Sequence, residues 1–155
     1  FDPANRADDA RLQFIGRIRS PWADSAACPK NLRVARERGL RATVEVDPPF
    51  RAGLQGLERC SHLILLYWLD RARRDLLIQA PKGGDGLKAT FAIRSPIRPN
   101  PIGLAVVKLV GCDIEAGTLE IDAIDCIDGT PLLNIKPYLP GIDAFPEASS
   151  GTGKQ

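Results

Sequence analysis

The amino-acid sequence predicts an all-β, mainly antiparallel fold: a small closed β-barrel with a few short helices. Three observations carry that expectation. Eight segments alternate or run apolar over strand length, helical periodicity is confined to two short stretches, and 13 prolines and 14 glycines interrupt the chain too often for long helices. The 155 residues suffice for one domain with its own core. An apolar share of 44% and a charged share of 26% are ordinary globular values and exclude extended disorder. The expected domain covers residues 12–140, between polar tails at 1–11 and 141–155.

The elements follow in order. Leu12 to Arg19 alternates and stops at Ser20-Pro21. Leu32 to Arg38 has the makings of two helical turns ended by Gly39. Arg41 to Val46 alternates again and ends at Asp47-Pro48-Pro49. Leu54 to Cys60 is a second short helix candidate. Leu63 to Leu69 is apolar on both faces, the pattern of a central strand buried on both sides. Further strands are expected at Leu76–Ala80, Leu87–Ile93, Ile102–Cys112, Thr118–Ile124 and Leu132–Lys136.

Several chemistries are excluded or disfavoured. No apolar run approaches the roughly 20 residues of a membrane span, and the N-terminal residues lack a signal-peptide core, so a cytoplasmic protein is expected. The four cysteines form no Cys-x-x-Cys pair and the only histidine is His62, so no metal site is expected. His62 is a possible general base, and Cys60 would share its face of a strand, but nothing else supports a Cys-His hydrolase. No P-loop or dinucleotide fingerprint is present. A net charge of +2 permits nucleic-acid binding without implying it.

Four stretches exceed what a plain barrel needs. They are Ile15–Pro21 with Cys28-Pro29-Lys30-Asn31; Gly56–Leu63; Phe91–Leu104; and Asp125–Leu132 with Ile135–Pro140. In the third, Pro96, Pro99 and Pro101 stiffen a loop carrying Arg94 and Arg98, an arrangement suited to a carboxylate or phosphate. In the fourth, Asp128-Gly129-Thr130-Pro131 is a turn, and Asp125 adds a carboxylate that could accept hydrogen bonds from a ribose or an amine.

In this order the stretches resemble the TsaA-like family, also called YaeB-like or TrmO-type, whose characterised members are S-adenosylmethionine-dependent tRNA methyltransferases. The matching pieces include Pro29-Lys30-Asn31, Ser61-His62-Leu63, Arg98-Pro99-Asn100-Pro101-Ile102-Gly103, Asp128-Gly129-Thr130-Pro131 and Ile135-Lys136-Pro137-Tyr138-Leu139-Pro140. The resemblance implies a β-barrel, a homodimer with the cofactor pocket near the subunit contact, and methylation at N6 of threonylcarbamoyl-adenosine beside the tRNA anticodon. It implies cofactor contacts from Pro29, Lys30 and Asn31; from Asp70 and Arg71; from Arg94 and Leu104; and from Asp125, Ile127, Asp128, Gly129 and Thr130. Lys136, Tyr138 and Asp128 match family positions, but none is singled out as a catalytic base. Asn31 stands where many members have Gln, the 71–86 segment is shorter than in larger members, and no additional C-terminal domain is expected after Pro140. The alternative reading is a non-enzymatic barrel that binds nucleic acid, with Trp22 or Trp68 stacking a base, or that senses S-adenosylmethionine.

Overall fold

The structure, a computed structural model, describes residues 9–81, 83, 84 and 86–150. In chain order the elements are β1 (Gly16–Arg19), α1 (Leu32–Arg38), β2 (Ala42–Val46), β3 (His62–Trp68), β4 (Ile78–Gln79), β5 (Lys88–Ala89), β6 (Ile102–Asp113), β7 (Thr118–Ile121), β8 (Thr130–Pro137) and α2 (Pro140–Asp143). Six strands close into a barrel in the order β1-β2-β7-β6-β3-β8, and β4 and β5 form a separate hairpin. Every barrel pairing is antiparallel.

The alternation along each strand explains the closure. Ile18, Val44, Leu65, Val107, Leu119 and Leu132 point inward and are fully buried, so all six strands share one core. α1 begins at Asn31, whose side chain accepts the Val34 N–H, and ends at Gly39, whose φ of 68° most side chains resist.

Four expectations are corrected. The first strand begins at Gly16 rather than Leu12: Leu12 and Phe14 are largely exposed, and only the Ile15 N–H reaches across, to the Leu132 carbonyl (2.9 Å). The helix expected at Leu54–Cys60 is instead two 3₁₀ segments, Pro48–Leu54 and Leu57–Arg59, since the paired prolines withhold donors and Gln55-Gly56 break the run. The strand expected at Leu87–Ile93 pairs only at Lys88–Ala89. Thr90 then turns inward, its hydroxyl donating to the Leu76 carbonyl and accepting from Gln79, and a 3₁₀ turn follows. β3 is buried on one face only: Leu63, Leu65 and Tyr67 face the core, while Ile64, Leu66 and Trp68 lie half-covered outside, because a single barrel has one interior. Of the expected tails, residues 1–8 and 151–155 lie outside the described residues. Among the described residues, no helix is long and apolar enough to cross a membrane.

Candidate functional site

β6 is twelve residues long, but β7 pairs with it only from Leu109 onward. Its first half therefore keeps β3 on one side and, among the described residues, has no strand on the other. Side chains hold that edge instead. Arg94 donates to the Leu104 carbonyl (3.2 Å), Arg36 of α1 donates to the Val106 carbonyl, and the Asp122 carboxylate accepts the Lys108 N–H (2.8 Å) while pairing with Arg36 (3.0 Å). The barrel wall opens there, with backbone groups close to two guanidiniums. The Asp122 bonds also explain why β7 ends at Ile121 and not at the expected Ile124.

Tyr67 lies beneath this opening. It is the last inward residue of β3, sits opposite Gly103 of β6, and is almost fully buried. A Cβ at position 103 would lie 2.0 Å from the Tyr67 ring, so glycine is required for the ring to occupy this place. The Tyr67 hydroxyl donates to Oδ1 of Asp125 (3.1 Å). Burial pushes the Tyr67 phenol far above its ordinary value. Burial also raises the Asp125 carboxyl, against the opposing pull of the Tyr67 hydrogen bond and of Arg94 and Arg36.

The 20–31 loop packs against the 124–130 segment through a series of specific bonds. Ser20 donates from its hydroxyl to the Cys126 carbonyl (2.7 Å) and from its N–H to Asp128 Oδ1 (3.1 Å). The Trp22 indole donates to the Ile124 carbonyl (2.8 Å), and the Cys28 thiol donates to the Asp125 carbonyl (3.1 Å). Arg38 stacks over Trp22 with its guanidinium carbon 5.1 Å from the ring. Trp22 is thus an anchor of this loop, and the idea that it stacks a nucleic-acid base is set aside.

At the same end of the barrel, where β3 finishes and β8 begins, lies a cavity of about 300 Å³. Leu69, Ala72, Pro96 and Ile127 give it apolar walls, and Asp24, Ser25, Asp70, Arg71 and Thr130 its polar groups. Among the described residues Arg71 has no ion-pair partner, so its charge is open to an anion. Arg74 clasps the two loops beside the cavity. It stacks over Trp68 (5.4 Å), donates to the Pro99 carbonyl (2.6 Å), and reaches Asn100 Oδ1 (3.5 Å). Arg98 folds back onto the carbonyls of Ile93 and Ser95, so it staples its own loop.

The sequence-predicted residues divide accordingly. Asp70, Arg71, Ile127 and Thr130 line the cavity; Arg94 and Leu104 meet at the β6 edge; Asp125 bridges to the barrel interior through Tyr67; Gly129 borders a second pocket with Arg17 and Asp47. Pro29 is buried and Lys30 exposed at the head of α1. Asn31 and Asp128 are occupied with the fold itself, one capping α1 and the other holding Ser20 and Arg19 (3.7 Å). His62 stands apart at the opposite end of β3, six positions from Trp68, a separation of about 20 Å along a strand. Its Nδ1 lies 2.9 Å from the Ser61 hydroxyl, and its ring meets Tyr138 edge-on. Tyr138 therefore belongs to that far end, and Lys136 lies opposite Ile64, nearer to it than to the cavity. Among the described residues no cluster could hold a metal ion. Tyr67, Asp24 and Arg36 escape sequence reasoning. The one available signal was a tyrosine directly after the aliphatic run Leu63–Leu66.

The tRNA-methyltransferase O N-terminal domain model matches residues 17–144. A probable S-adenosyl-L-methionine-binding protein of Archaeoglobus fulgidus is 43% identical over 141 residues, which is 91% of this chain and 37% of that protein. The tRNA (adenine(37)-N6)-methyltransferase of Escherichia coli is 33% identical over 148 residues, 90% of this chain and 62% of that enzyme. A crystal structure of TrmO from Pseudomonas aeruginosa superposes with a TM-score of 0.75 at 37% identity, covering 94% of this chain and 63% of that one. This chain spans between 37% and 63% of the length of these three relatives. With a family model matched across most of the chain and the same barrel in the solved relative, the chain belongs to the tRNA-methyltransferase O N-terminal domain family.

Proposed function

We propose that this barrel binds S-adenosylmethionine and directs its methyl group to tRNA, at the exocyclic N6 of threonylcarbamoyl-adenosine next to the anticodon. The observation that carries this reading is convergence: segments 28–31, 69–72, 94–104 and 125–130, distant in sequence, meet at one end of the barrel. Similarity to an enzyme named for methylating tRNA adenine at N6 supports the substrate.

The residues fit the cofactor's chemistry. An amino-acid carboxylate suits Arg71, which has no ion-pair partner among the described residues, and Arg94 and Lys30 are the further cations for it. The ammonium and the ribose diol suit the carboxylates of Asp70 and Asp125. The adenine suits the β6 edge at Leu104 and the backbone from Ile127 to Thr130. Pro29, Asn31, Asp128 and Gly129 contribute through the backbone they shape. When bound, the cofactor supplies an activated methyl group on a sulfonium. The chain's own task is to orient: transfer to an exocyclic nitrogen is an in-line displacement, so holding both partners rigidly supplies much of the acceleration. Leu69, Pro96 and Ile127 offer the cofactor an apolar wall while Asp70 and Arg71 supply the polar end. No residue is assigned as base.

We further propose a cytoplasmic homodimer with the 12–140 unit as its barrel. Ile102 and Leu104 are exposed beside the β6 opening, and Leu66 and Trp68 lie half-covered next to them, an apolar face suited to a second subunit close to the site. The names of relatives as S-adenosyl-L-methionine-binding proteins favour a second reading, in which the cofactor is bound but not used.

One experiment separates these. The purified protein is titrated calorimetrically with S-adenosylmethionine, then incubated with radiolabelled cofactor and total tRNA from cells lacking the native activity, followed by nucleoside analysis. Binding with label in N6-methylated threonylcarbamoyl-adenosine is the expected result. Binding without transfer favours the second reading, and absence of binding overturns both.

A further inference from the structure

Tyr67 differs from the other inward residues of β3. Leu63 and Leu65 fill the core and nothing more, whereas Tyr67 carries a hydroxyl through the core to the carboxylate of Asp125 (3.1 Å). The arrangement is costly to build. It needs a glycine at position 103 to clear the ring, and it coincides with the irregularity in the β3–β8 register between Leu66 and Tyr67. Among the described residues, the side chain that donates to the Asp125 carboxylate is Tyr67, and it does so at Oδ1; Asp125 lies where the barrel wall opens beside β6. The charged and titratable groups around it come from every neighbouring element: Arg94 from the loop before β6, Arg36 from α1, Cys28 from the loop before α1, and Cys126 on its own segment.

We infer that Tyr67 is a positioning residue, whose hydroxyl holds one oxygen of Asp125 so that the other is presented to the N–H or O–H donors of the bound cofactor, its ammonium or ribose diol. The inference rests on the cofactor reading above and deepens it. A carboxylate half out of water is drawn toward its neutral form, which accepts poorly, and a donated hydrogen bond favours the charged form. Tyr67 thereby fixes both the direction and the ionisation of the acceptor.

The test is calorimetric affinity for S-adenosylmethionine between about pH 5 and pH 8 for wild type, Tyr67→Phe, Asp125→Asn and the double variant, with the Asp125 carboxyl titrated by ¹³C NMR without cofactor. Tyr67→Phe is expected to bind about five- to tenfold more weakly at neutral pH, the worth of one hydrogen bond. As pH falls, affinity is lost in wild type as Asp125 protonates, and it is lost from a higher pH in Tyr67→Phe, matching an upward move of the carboxyl titration. Asp125→Asn should bind weakly with a flattened pH profile, and adding Tyr67→Phe to it should cost nothing more. An unchanged affinity and pH profile in Tyr67→Phe overturns the inference, as does an equal cost in the Asp125→Asn background, which would mark a packing role. If Tyr67→Phe fails to fold, wild-type affinity in folded Asp125→Asn overturns the inference and weakened, pH-flat binding sustains it. A wild-type protein that binds no cofactor overturns the functional reading and this inference with it. Cofactor binding by wild type with an indifferent Tyr67→Phe overturns this inference alone.

Discussion

The Asn31 side chain accepts the Val34 N–H (3.0 Å) and so closes the first turn of α1. Asparagine has the reach for this bond, and a longer glutamine would be a poorer N-cap. The cap thus steadies the helix that carries Arg36 and Arg38 to the β6 edge and to Trp22. Asn31→Ala should lower stability by about 0.5–2 kcal/mol, measured as a shift in the urea midpoint with an unchanged slope. Asp128 teaches the same lesson. Its place in a turn motif was visible from the sequence, but its bonds to Ser20 and Arg19, 108 residues away for the Ser20 N–H, were not. A residue's partner across the chain is decided by strand order, which local spacing does not encode.

β3 is the element on which the barrel depends, since it pairs with both β6 and β8 along nearly its whole length. Leu65 is fully buried at its centre, and Leu65→Ala should cost about 2–5 kcal/mol in a chemical denaturation series. A loss below about 0.5 kcal/mol would contradict its place in the core. The proline loop borders the cavity through Pro96, and it is held from outside. The three prolines restrict its shape, but Arg74 fastens it to the end of β3 through Trp68 and Pro99. Arg74→Ala should therefore speed amide hydrogen exchange at Ile97 and Asn100 while moving global stability by less than about 1 kcal/mol. Exchange rates equal to those of wild type would show that the prolines suffice alone.

At the scale of the whole molecule, the 20–31 loop and the 124–130 segment are joined by buried or half-buried thiols as well as by hydrogen bonds. Burial, with Asp125 adding to it, pushes the Cys28 thiol up to about 11, and burial raises Cys126 as well. The unfolded chain ionises its thiols from an ordinary value of 9.0, while the folded chain holds their protons longer. Stability from this source is therefore complete below about pH 9 and is lost as pH rises through the folded values. Denaturation midpoints should fall steeply between about pH 9 and pH 11, and Cys28→Ser should flatten that limb. A slope identical in wild type and variant would assign the alkaline loss to other groups.

The sequence by itself determined the fold class, the order and approximate bounds of the strands, the helix at Leu32–Arg38, and the set of segments resembling the family. Those features follow from alternation, from proline and glycine placement and from ordered motifs, all of which are local or additive along the chain. Only the tertiary structure decided that β7 leaves the first half of β6 unpaired, that Tyr67 reaches Asp125, and that Arg71 faces the cavity while Arg98 turns away from it. Each of these depends on which distant backbone comes to lie alongside, a choice made by closing six strands around one core rather than by any residue's own preference.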